Sequence, residues 1–446
     1  MKHVPTLIHG KHIIPMDGKA RALNDFSIAV QDGHIIDIAP RHEAVDRYSC
    51  DACHTYDHHI IIPGLINTHT HAGMSLFRGL AHDLPLMEWL NHHIWPAEQK
   101  WMNEDFVRLG TQLAMAEMIR GGVTCFNDMY FFPEIAAQEV IRSGMRGHLG
   151  MILLDFPTPY AACAEEYLSK GLELHSRYSS HPQVRCTFAP HAPYTVSDRP
   201  LERIAALADE LGLPVHIHLH ETENEISMSV EQYGMRPLQR LNEHGLVNDR
   251  LIAVHMTQLE NEEIELLADT GASIVHCPQS NLKLASGFCP VQELHDNHVN
   301  VTLGTDSCAS NDDLDVLGEM HTAALLAKGV ARDASAMPAY ESLRCATINA
   351  ASALGIAHIT GSLETGKAAD MTVIDIEQIE AQPVYEPIGH TVYATQRAQV
   401  SDVWVQGELL LHDKQLQTLD QDEIVSSARE WGKKILDGEN SSDFSG

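Results

Sequence analysis

Short apolar segments alternate with amphipathic segments through the middle of this chain. The amphipathic segments carry apolar residues three and four positions apart and end at glycine, as helices do. Eight strands separated by helices predict an α/β fold, a parallel (β/α)8 barrel of the TIM type. The predicted strands are "HIIIPGLIN", "GVTCFND", "RGHLGMILLD", "QVRCTFAP", "LPVHIHLH", "RLIAVHM", "ASIVHCP" and "VNVTLGTD".

Both ends of the chain have a different pattern, in which short strands are separated by turns. Asp32-Gly33 has the signature of a hairpin turn, and Gln406-Gly407 marks a turn near the other end. The two β segments predict one small β-sandwich built from the N- and C-terminal segments. The predicted units are residues 1–62 and 367–418 for the two parts of the sandwich, 63–366 for the barrel, and 419–446 for a C-terminal helix with a polar tail, in which 438–446 are expected to be disordered.

The charge of the chain limits its partners. Asp and Glu number 61 against 30 Lys and Arg, which gives a formal net charge of −31. Such a surface repels phosphate backbones and anionic lipids, so neither a nucleic acid nor a membrane is expected as a partner. No signal peptide or membrane-spanning run is visible, and nine scattered cysteines suit a reducing compartment. We expect a cytoplasmic protein with a small-molecule substrate, and assembly into a homo-oligomer stays open.

The segment "CDACH", residues 50–54, matches the C-x-x-C-H pattern of c-type haem attachment. Haem attachment of this type requires export, for which the sequence shows no signal. A zinc ribbon would need a second C-x-x-C, which is absent from the sequence. We therefore interpret Cys50 and Cys53 as a coincidental pair in a turn of the N-terminal β region.

Polar side chains recur at the ends of the predicted strands, where such barrels build their sites. His69 and His71 are one residue apart, so strand alternation sends both imidazoles to one face, where they can share a divalent metal. In "HIHLHE" three histidines alternate, and spacing alone does not say which of them binds metal. The polar residues at strand ends are His69, His71, Asn127, Asp128, Asp155, His191, His218, His255, His276 and Asp306.

Five ordered motifs resemble the amidohydrolase superfamily, in particular its cytosine-deaminase and chlorohydrolase branch. The resemblance runs from the first β segment to about residue 412. It implies one divalent metal held by His69, His71, His218 and Asp306. Three imidazoles and one carboxylate favour Zn²⁺, and Fe²⁺ also suits this donor set. The motifs are "PGLINTHTH", "HLHET", "HCPQSNLKLASG", "LGTDSCASND" and "GSLETGKAADMTVID".

The resemblance also implies hydrolytic deamination of a ring. A divalent metal lowers the pKa of water towards ~7, so hydroxide becomes available to attack a ring carbon that bears an amino group. Glu221 would carry a proton from water to the ring nitrogen, while His255 and Asp306 would stabilise and orient the reacting groups. By position alone, Glu221 is also a first-turn helix acid, and Asp306 is also a helix N-cap.

Within this branch the sequence is most similar to deaminases of 5'-methylthioadenosine and S-adenosylhomocysteine. The similarity implies that Glu98 binds the ribose hydroxyls and that His191, Glu221 and Asp306 contact the substrate. Deamination of 5'-methylthioadenosine would give 5'-methylthioinosine and ammonia. The alternative substrates within the branch are guanine, a pterin or a triazine. A non-catalytic scaffold would be expected to have lost metal ligands, and all four are present.

The substituent on the ribose 5' carbon is predicted from a missing arginine. Relatives that accept S-adenosylhomocysteine use an Arg after the third strand to bind its carboxylate, whereas residues 154–171 contain none. Arg146 begins the third strand and is expected at the opposite end of the barrel. We therefore favour 5'-methylthioadenosine over S-adenosylhomocysteine and adenosine. Candidates for an apolar wall around the methylthio group are Met87, Trp89, Leu90 and Phe156.

Overall fold

Strands from both ends of the chain pair in one mixed sheet. The computed structural model describes residues 1–442, with side chains through residue 438. The N-terminal strands are β1 (Lys2–Ile13), β2 (Leu23–Gln31), β3 (His34–Pro40) and β4 (Tyr48–Pro63). Eight further strands follow: β5 (Leu65–Thr70), β6 (Val123–Asp128), β7 (Arg146–Leu153), β8 (Val184–Pro190), β9 (Val215–Leu219), β10 (Leu251–His255), β11 (Ser273–His276) and β12 (Asn300–Leu303). The C-terminal strands are β13 (Met371–Asp375), β14 (Val400–Val405), β15 (Glu408–His412) and β16 (Gln415–Leu416).

The terminal strands form a continuous sheet in the order β16-β15-β14-β13-β4-β1-β2-β3. The two ends of the chain meet where β13 pairs antiparallel with β4, and β4 in turn pairs parallel with β1. The predicted pairing of the terminal segments is therefore confirmed. The predicted boundaries between units stay predictions.

The strand β4 corrects two details of the sequence interpretation. Cys50 and Cys53 lie within this strand, opposite Val4 and Leu7 of β1, and not in a turn. The predicted first barrel strand "HIIIPGLIN" is divided at Gly64, because its first half ends β4 and its second half is β5. A side chain at Gly64 would overlap Thr124, so the tight passage between the two sheets requires glycine there.

The eight middle strands form the predicted parallel barrel in sequential order. Its first and last strands meet through a bridge between Thr70 and Asp306 and a hydrogen bond from the Thr68 hydroxyl to the Leu303 carbonyl, 2.7 Å long. Parallel strands buried on both faces explain the nearly continuous apolar composition of these segments. The carboxyl ends of all eight strands therefore face one side of the molecule.

The helices cover the barrel and its mouth. The last helix packs Trp431 edge-on against Phe106, with ring centroids 5.5 Å apart. The helices are α1 (Arg41–Arg47), α2 (Leu86–Trp89), α3 (Trp95–Trp101), α4 (Glu104–Arg120), α5 (Pro133–Ser143), α6 (Ala164–Tyr178), α7 (Asp198–Leu211), α8 (Glu223–Tyr233), α9 (Pro237–Glu243), α10 (Asn261–Thr270), α11 (Pro278–Lys283), α12 (Val291–Asp296), α13 (Cys308–Asn311), α14 (Val316–Ala331), α15 (Ala339–Cys345), α16 (Ile348–Ala353), α17 (Pro387–Tyr393) and α18 (Gln421–Ser442).

The C-terminal helix is longer than the sequence indicated. Residues 438–442, which were assigned to a disordered tail, belong to α18. The rest of the predicted tail, residues 443–446, lies outside the described residues. Within residues 1–442, no helix combines the length and apolar character needed to cross a membrane.

A buried ion pair joins the barrel to the mixed sheet. The Arg146 Nε lies 2.7 Å from an Asp370 carboxylate oxygen, and the two side chains are 8% and 0% exposed. Asp370 also accepts the backbone N–H of Gln406 at 2.7 Å. Because Arg146 begins β7, this pair lies at the amino ends of the barrel strands, as predicted for Arg146.

We predict that Asp370→Ala destabilises the protein by about 3–5 kcal/mol, because it leaves the Arg146 guanidinium buried without a partner. Urea unfolding followed by circular dichroism measures the effect. The matched control is Glu173→Ala, which removes an exposed pair with Arg177 and should leave the unfolding midpoint nearly unchanged. Equal midpoints for both variants would contradict a stabilising role of the buried pair.

Candidate metal centre and active site

Three imidazoles and one carboxylate converge at the carboxyl ends of the barrel strands. His69 lies in β5, His71 directly after it, His218 in β9, and Asp306 in the loop after β12. One ligand atom from each of these buried residues lies within 4.8 Å of all the others. The Nε2 atom of His218 is 3.2 Å from the Nε2 atoms of both His69 and His71. Asp306 Oδ1 is 3.3 Å and 3.2 Å from those same two atoms.

These separations match the donor set of a small divalent ion. A tetrahedral centre with bonds of about 2.0–2.1 Å has edges of about 3.3–3.4 Å. The four separations just given, 3.2–3.3 Å, are close to these edges. Imidazole nitrogen atoms at this distance repel one another when both are protonated, and they bind a metal through the neutral form. Burial lowers the pKa of His218 well below its usual range and that of His69 to about 4, which favours this neutral form. For His71, the hydrogen bond and the charge of Asp306 outweigh burial and raise the pKa.

Hydrogen bonds on the far side of two of the rings select the required tautomer. His71 Nδ1 donates to the Met129 carbonyl at 2.6 Å, and His218 Nδ1 donates to the His191 carbonyl at 2.7 Å. His69 Nδ1 lies 2.9 Å from His216 Nε2. With the proton held at Nδ1, the Nε2 lone pairs of His71 and His218 are free to face the common centre.

Asp306 is oriented by two serines. Its Oδ2 atom accepts hydrogen bonds from the hydroxyls of Ser280 at 2.6 Å and Ser310 at 2.8 Å, which leaves Oδ1 directed at the histidines. Asp306 has a φ of +63°, a left-handed conformation that costs energy for a residue with a side chain. The N-cap of α13 is Ser307, so the alternative interpretation of Asp306 as a cap is wrong.

Two further residues of the predicted set lie beside this centre. Glu221 and His255 are buried, with Glu221 Oε2 and His255 Nε2 3.7 Å apart. The side-chain oxygen of Asn281 lies 2.8 Å from His255 Nδ1 and orients the ring. Burial raises the pKa of Glu221 to about 8, with the nearby Asp306 carboxylate as a second cause. A carboxyl group that titrates near neutral pH is suited to both accepting and donating a proton.

A cavity of about 390 Å³ opens over this centre. Its volume is within the usual range for small-molecule sites. Glu98 on α3 and His191 after β8 both line it, together with His71, His218, Glu221, His255 and Asp306. The structure therefore brings together the predicted substrate-contacting residues and the predicted metal ligands, except His69, whose buried ring lies behind the centre.

Glu98 and its neighbour Tyr130 form a polar group away from the four ligands. Glu98 is 9% exposed, and burial raises its pKa to about 7. The buried hydroxyl of Tyr130 faces the Glu98 carboxyl group, and its ring lines the cavity. Gly73 makes room for this ring, because a side chain there would approach the Tyr130 ring carbons to 2.5 Å. Both groups are available to a ligand that carries hydroxyls.

The remaining lining is largely apolar. Trp89, Leu90 and Phe156 contribute to it as predicted, whereas Met87 does not. Trp95 packs edge-on against Phe156, with ring centroids 5.9 Å apart. None of the described residues that line the cavity is Lys or Arg.

The sequence interpretation missed several residues that shape the site. Ser280, Ser310 and Asn281 act on Asp306 and His255 across the barrel mouth. Ser280 and Asn281 belong to the motif "HCPQSNLKLASG" and Ser310 to "LGTDSCASND", and none of the three was given a role. Tyr130 follows the polar end of β6, which was the only signal for it. His216 and His220, the other two histidines of "HIHLHE", lie behind the ligands or on the cavity wall by the sequence, and the structure places His216 behind His69, at its Nδ1 atom, while His220 accepts the Leu238 backbone N–H.

Comparison with known proteins assigns the chain to a family. A model described as "Amidohydrolase family" matches residues 60–410. A 5-methylthioadenosine/S-adenosylhomocysteine deaminase from Saccharophagus degradans is 48% identical over 429 residues, 96% of each chain. A 5'-deoxyadenosine deaminase from Methanothermobacter thermautotrophicus is 39% identical over 428 residues, 96% of this chain and 98% of that one.

The fold agrees with a solved structure across nearly the whole chain. The crystal structure of an adenosine deaminase from Xanthomonas campestris with bound zinc superposes with a TM-score of 0.97 at 46% identity, covering 98% of this chain and 99% of that one. The barrel, the mixed sheet and the converging ligand set are thus parts of one known architecture. The chain belongs to the amidohydrolase family.

Proposed function

We propose that the protein is a metal-dependent hydrolase that removes the amino group from the adenine ring of 5'-methylthioadenosine. The products are 5'-methylthioinosine and ammonia. The observation that carries this proposal is that one cavity is lined at one place by the metal-ligand group and Glu221, and at another by the polar group of Glu98 and Tyr130. The names of the relatives, which act on 5-methylthioadenosine, 5'-deoxyadenosine and adenosine, support the same substrate class.

His69, His71, His218 and Asp306 would hold the metal, and Zn²⁺ is the ion that best suits three imidazoles and one carboxylate. The zinc in the similar adenosine deaminase supports this choice. The bound ion would lower the pKa of water so that hydroxide forms at neutral pH. The outer hydrogen bonds from His71 to Met129 and from His218 to His191 keep the ligands in place during turnover.

The residues around the ligands divide the proton transfers between them. Glu221 accepts the proton of the attacking water and delivers it to the ring nitrogen beside the carbon that is attacked. A C–O bond forms at that carbon, and the C–N bond to the amino group breaks. Asp306 accepts the second proton of the same water, which is on the newly added hydroxyl, and passes it to the amino group, which leaves as ammonia. His255, fixed by Asn281, stabilises the negative charge that develops during the addition.

The two ends of the substrate would contact different parts of the cavity. Glu98 can accept hydrogen bonds from both ribose hydroxyls, and His191 is placed to contact the ring, with its pKa lowered to about 3 by burial and so neutral. A methylthio group requires apolar contacts only, and Trp89, Leu90 and Phe156 offer them. The carboxylate of S-adenosylhomocysteine would find no Lys or Arg among the described lining residues. We infer a preference for the smaller, uncharged 5' substituent.

The compartment is part of the same proposal. All nine cysteines are free thiols, and six of them are buried. Unpaired thiols persist in a reducing environment. This supports a cytoplasmic location.

We predict that His69→Ala loses bound metal and activity together, whereas Glu221→Gln keeps its metal and loses about 100- to 10,000-fold in kcat. The reason is that His69 supplies a ligand atom, while Glu221 moves a proton. Metal content by mass spectrometry and ammonia release measure the two effects. The exposed His92→Ala serves as control and should retain both. Full activity of Glu221→Gln would refute the proton-transfer role.

We predict that Glu98→Gln lowers kcat/KM for 5'-methylthioadenosine by about 10- to 100-fold, since one carboxylate acceptor is replaced by an amide donor. The same variant should show no such loss on an analogue that lacks both ribose hydroxyls. Glu88→Gln, which changes an exposed acid on the preceding helix, is the matched control. An equal loss on both substrates would show that Glu98 does not bind the ribose.

We predict a ranking for zinc-loaded protein, measured by ammonia release from 5'-methylthioadenosine, S-adenosylhomocysteine, adenosine and guanine and by chloride release from a chlorotriazine. The value of kcat/KM should be at least about 10-fold lower for S-adenosylhomocysteine than for 5'-methylthioadenosine, because its charged amino-acid group meets no counter-charge. Equal rates would overturn the inferred preference but would not contradict the proposed deaminase activity. Reaction with guanine or the triazine alone would overturn the nucleoside assignment.

A further inference from the structure

The backbone that carries Glu221 is held by a second buried acid. Glu225, on the first turn of α8, is 4% exposed. Its Oε1 atom accepts the backbone N–H of His220 at 2.9 Å, and its Oε2 atom accepts the backbone N–H of Glu221 at 2.8 Å. One carboxylate thus holds two consecutive amides of the short segment between β9 and α8.

This arrangement differs from the usual start of a helix. Thr222 is the N-cap of α8, and its hydroxyl accepts the Glu225 backbone N–H at 3.3 Å. In a capping box the acid at the third helical position returns to the backbone N–H of the cap residue itself. The Glu225 side chain reaches further, to the two residues before the cap, so its effect is on Glu221 as well as on the helix.

The carbonyl side of the same segment is held by Thr257. Its hydroxyl lies 2.7 Å from the Glu221 carbonyl, and its backbone N–H donates to the His220 carbonyl at 2.9 Å. His220 has a φ of +51°, and its Nε2 accepts the Leu238 backbone N–H at 3.0 Å. A left-handed residue persists only where its surroundings fix it. Hydrogen bonds therefore constrain both the backbone N–H groups and the backbone carbonyls of His220 and Glu221.

The Glu225 carboxylate has no cationic partner. Within the described residues, no Lys, Arg or His nitrogen lies within 4 Å of it, and its hydrogen bonds go to the two amides. A buried acid without a counter-charge is unfavourable for stability by itself. Burial raises the pKa of Glu225 to about 8, and the two amide N–H groups oppose this shift. A carboxyl group that accepts two consecutive amide N–H groups nevertheless fixes their direction, because its two oxygen atoms share one rigid plane.

We propose that Glu225 is a positioning residue for Glu221, and that its carboxylate fixes the backbone from which Glu221 reaches the reacting atoms. The inference rests on the proposed role of Glu221 as the proton carrier. A misplacement of about 1 Å at such a residue can slow the chemical step about 100-fold while substrate binding is kept. Glu225 contacts neither the substrate cavity nor the four ligands, so its effect is expected in kcat.

The test compares Glu225→Gln with Glu223→Gln, which changes an exposed acid on the same turn of α8. The glutamine keeps the length of the side chain but turns an NH2 donor towards one of the two amides. We expect kcat of Glu225→Gln to fall about 10- to 100-fold with KM within about threefold of wild type and unchanged metal content. Glu223→Gln should match wild type. An unchanged kcat in Glu225→Gln would overturn the proposal.

A double-mutant cycle separates positioning from general damage. If Glu225 acts through Glu221, the double variant Glu221→Gln/Glu225→Gln turns over no more slowly than Glu221→Gln alone. A further loss in the double variant, equal to that of Glu225→Gln by itself, would show independent effects and overturn the proposal.

A measurement that needs no substrate completes the test. Hydrogen exchange followed by mass spectrometry should show faster exchange in Glu225→Gln for the peptide that contains the His220 and Glu221 amides, and not in Glu223→Gln. Equal exchange would overturn the proposal. If wild type released no ammonia from any nucleoside, the proposed function would fail, while the exchange result would still decide whether Glu225 holds this segment.

Discussion

The site depends on three neutral imidazoles whose Nε2 lone pairs face one point. Neutral rings at such short separation are stable only when each proton is held on the far nitrogen. The carbonyls of Met129 and His191 provide this for His71 and His218. Met129 follows β6, which neighbours the strand of His71, and His191 follows β8, which neighbours the strand of His218. The geometry of the barrel therefore sets these tautomers. The ligand group is therefore a consequence of the parallel sheet and its register, and not of local sequence alone.

Burial of this group has a second effect, on the acids around it. The same low-polarity surroundings that keep the histidines neutral raise the pKa of Glu221 and Glu98. Asp306 is the exception, since hydrogen bonds and charge from the facing His69 and His71 hold its pKa well below its usual range despite burial. One environment thus yields a carboxylate suited to ligation and a carboxyl suited to proton transfer. Both groups are buried, so the hydrogen bonds to the Asp306 carboxylate, and not the extent of burial, distinguish metal ligation from proton transfer.

Much of this arrangement was accessible from the sequence. The alternation of strands and helices predicted the barrel, and polar residues at strand ends predicted which side chains meet. What the pattern did not reveal depends on contacts between distant segments. Ser280 in α11 and Ser310 in α13 have no pattern that marks them, and they meet at Asp306 only because the segments after β11 and β12 come together there. The division of "HIIIPGLIN" at Gly64 was hidden because both halves are apolar and extended, and only their pairing partners differ.

The two ends of the cavity are built on different supports. The metal ligands are carried by barrel strands and are oriented by backbone carbonyls, so a small displacement of these strands would affect all four ligands at once. At the other end, Trp89 and Trp95 lie on short helices and Phe156 lies in the loop after β7. Trp95 and Phe156 contact each other, away from the four ligands. Substitutions there can change which 5' group is accepted without moving His218 or Asp306. The proposed selection of the 5' group and the proposed binding of the metal therefore use different parts of the cavity.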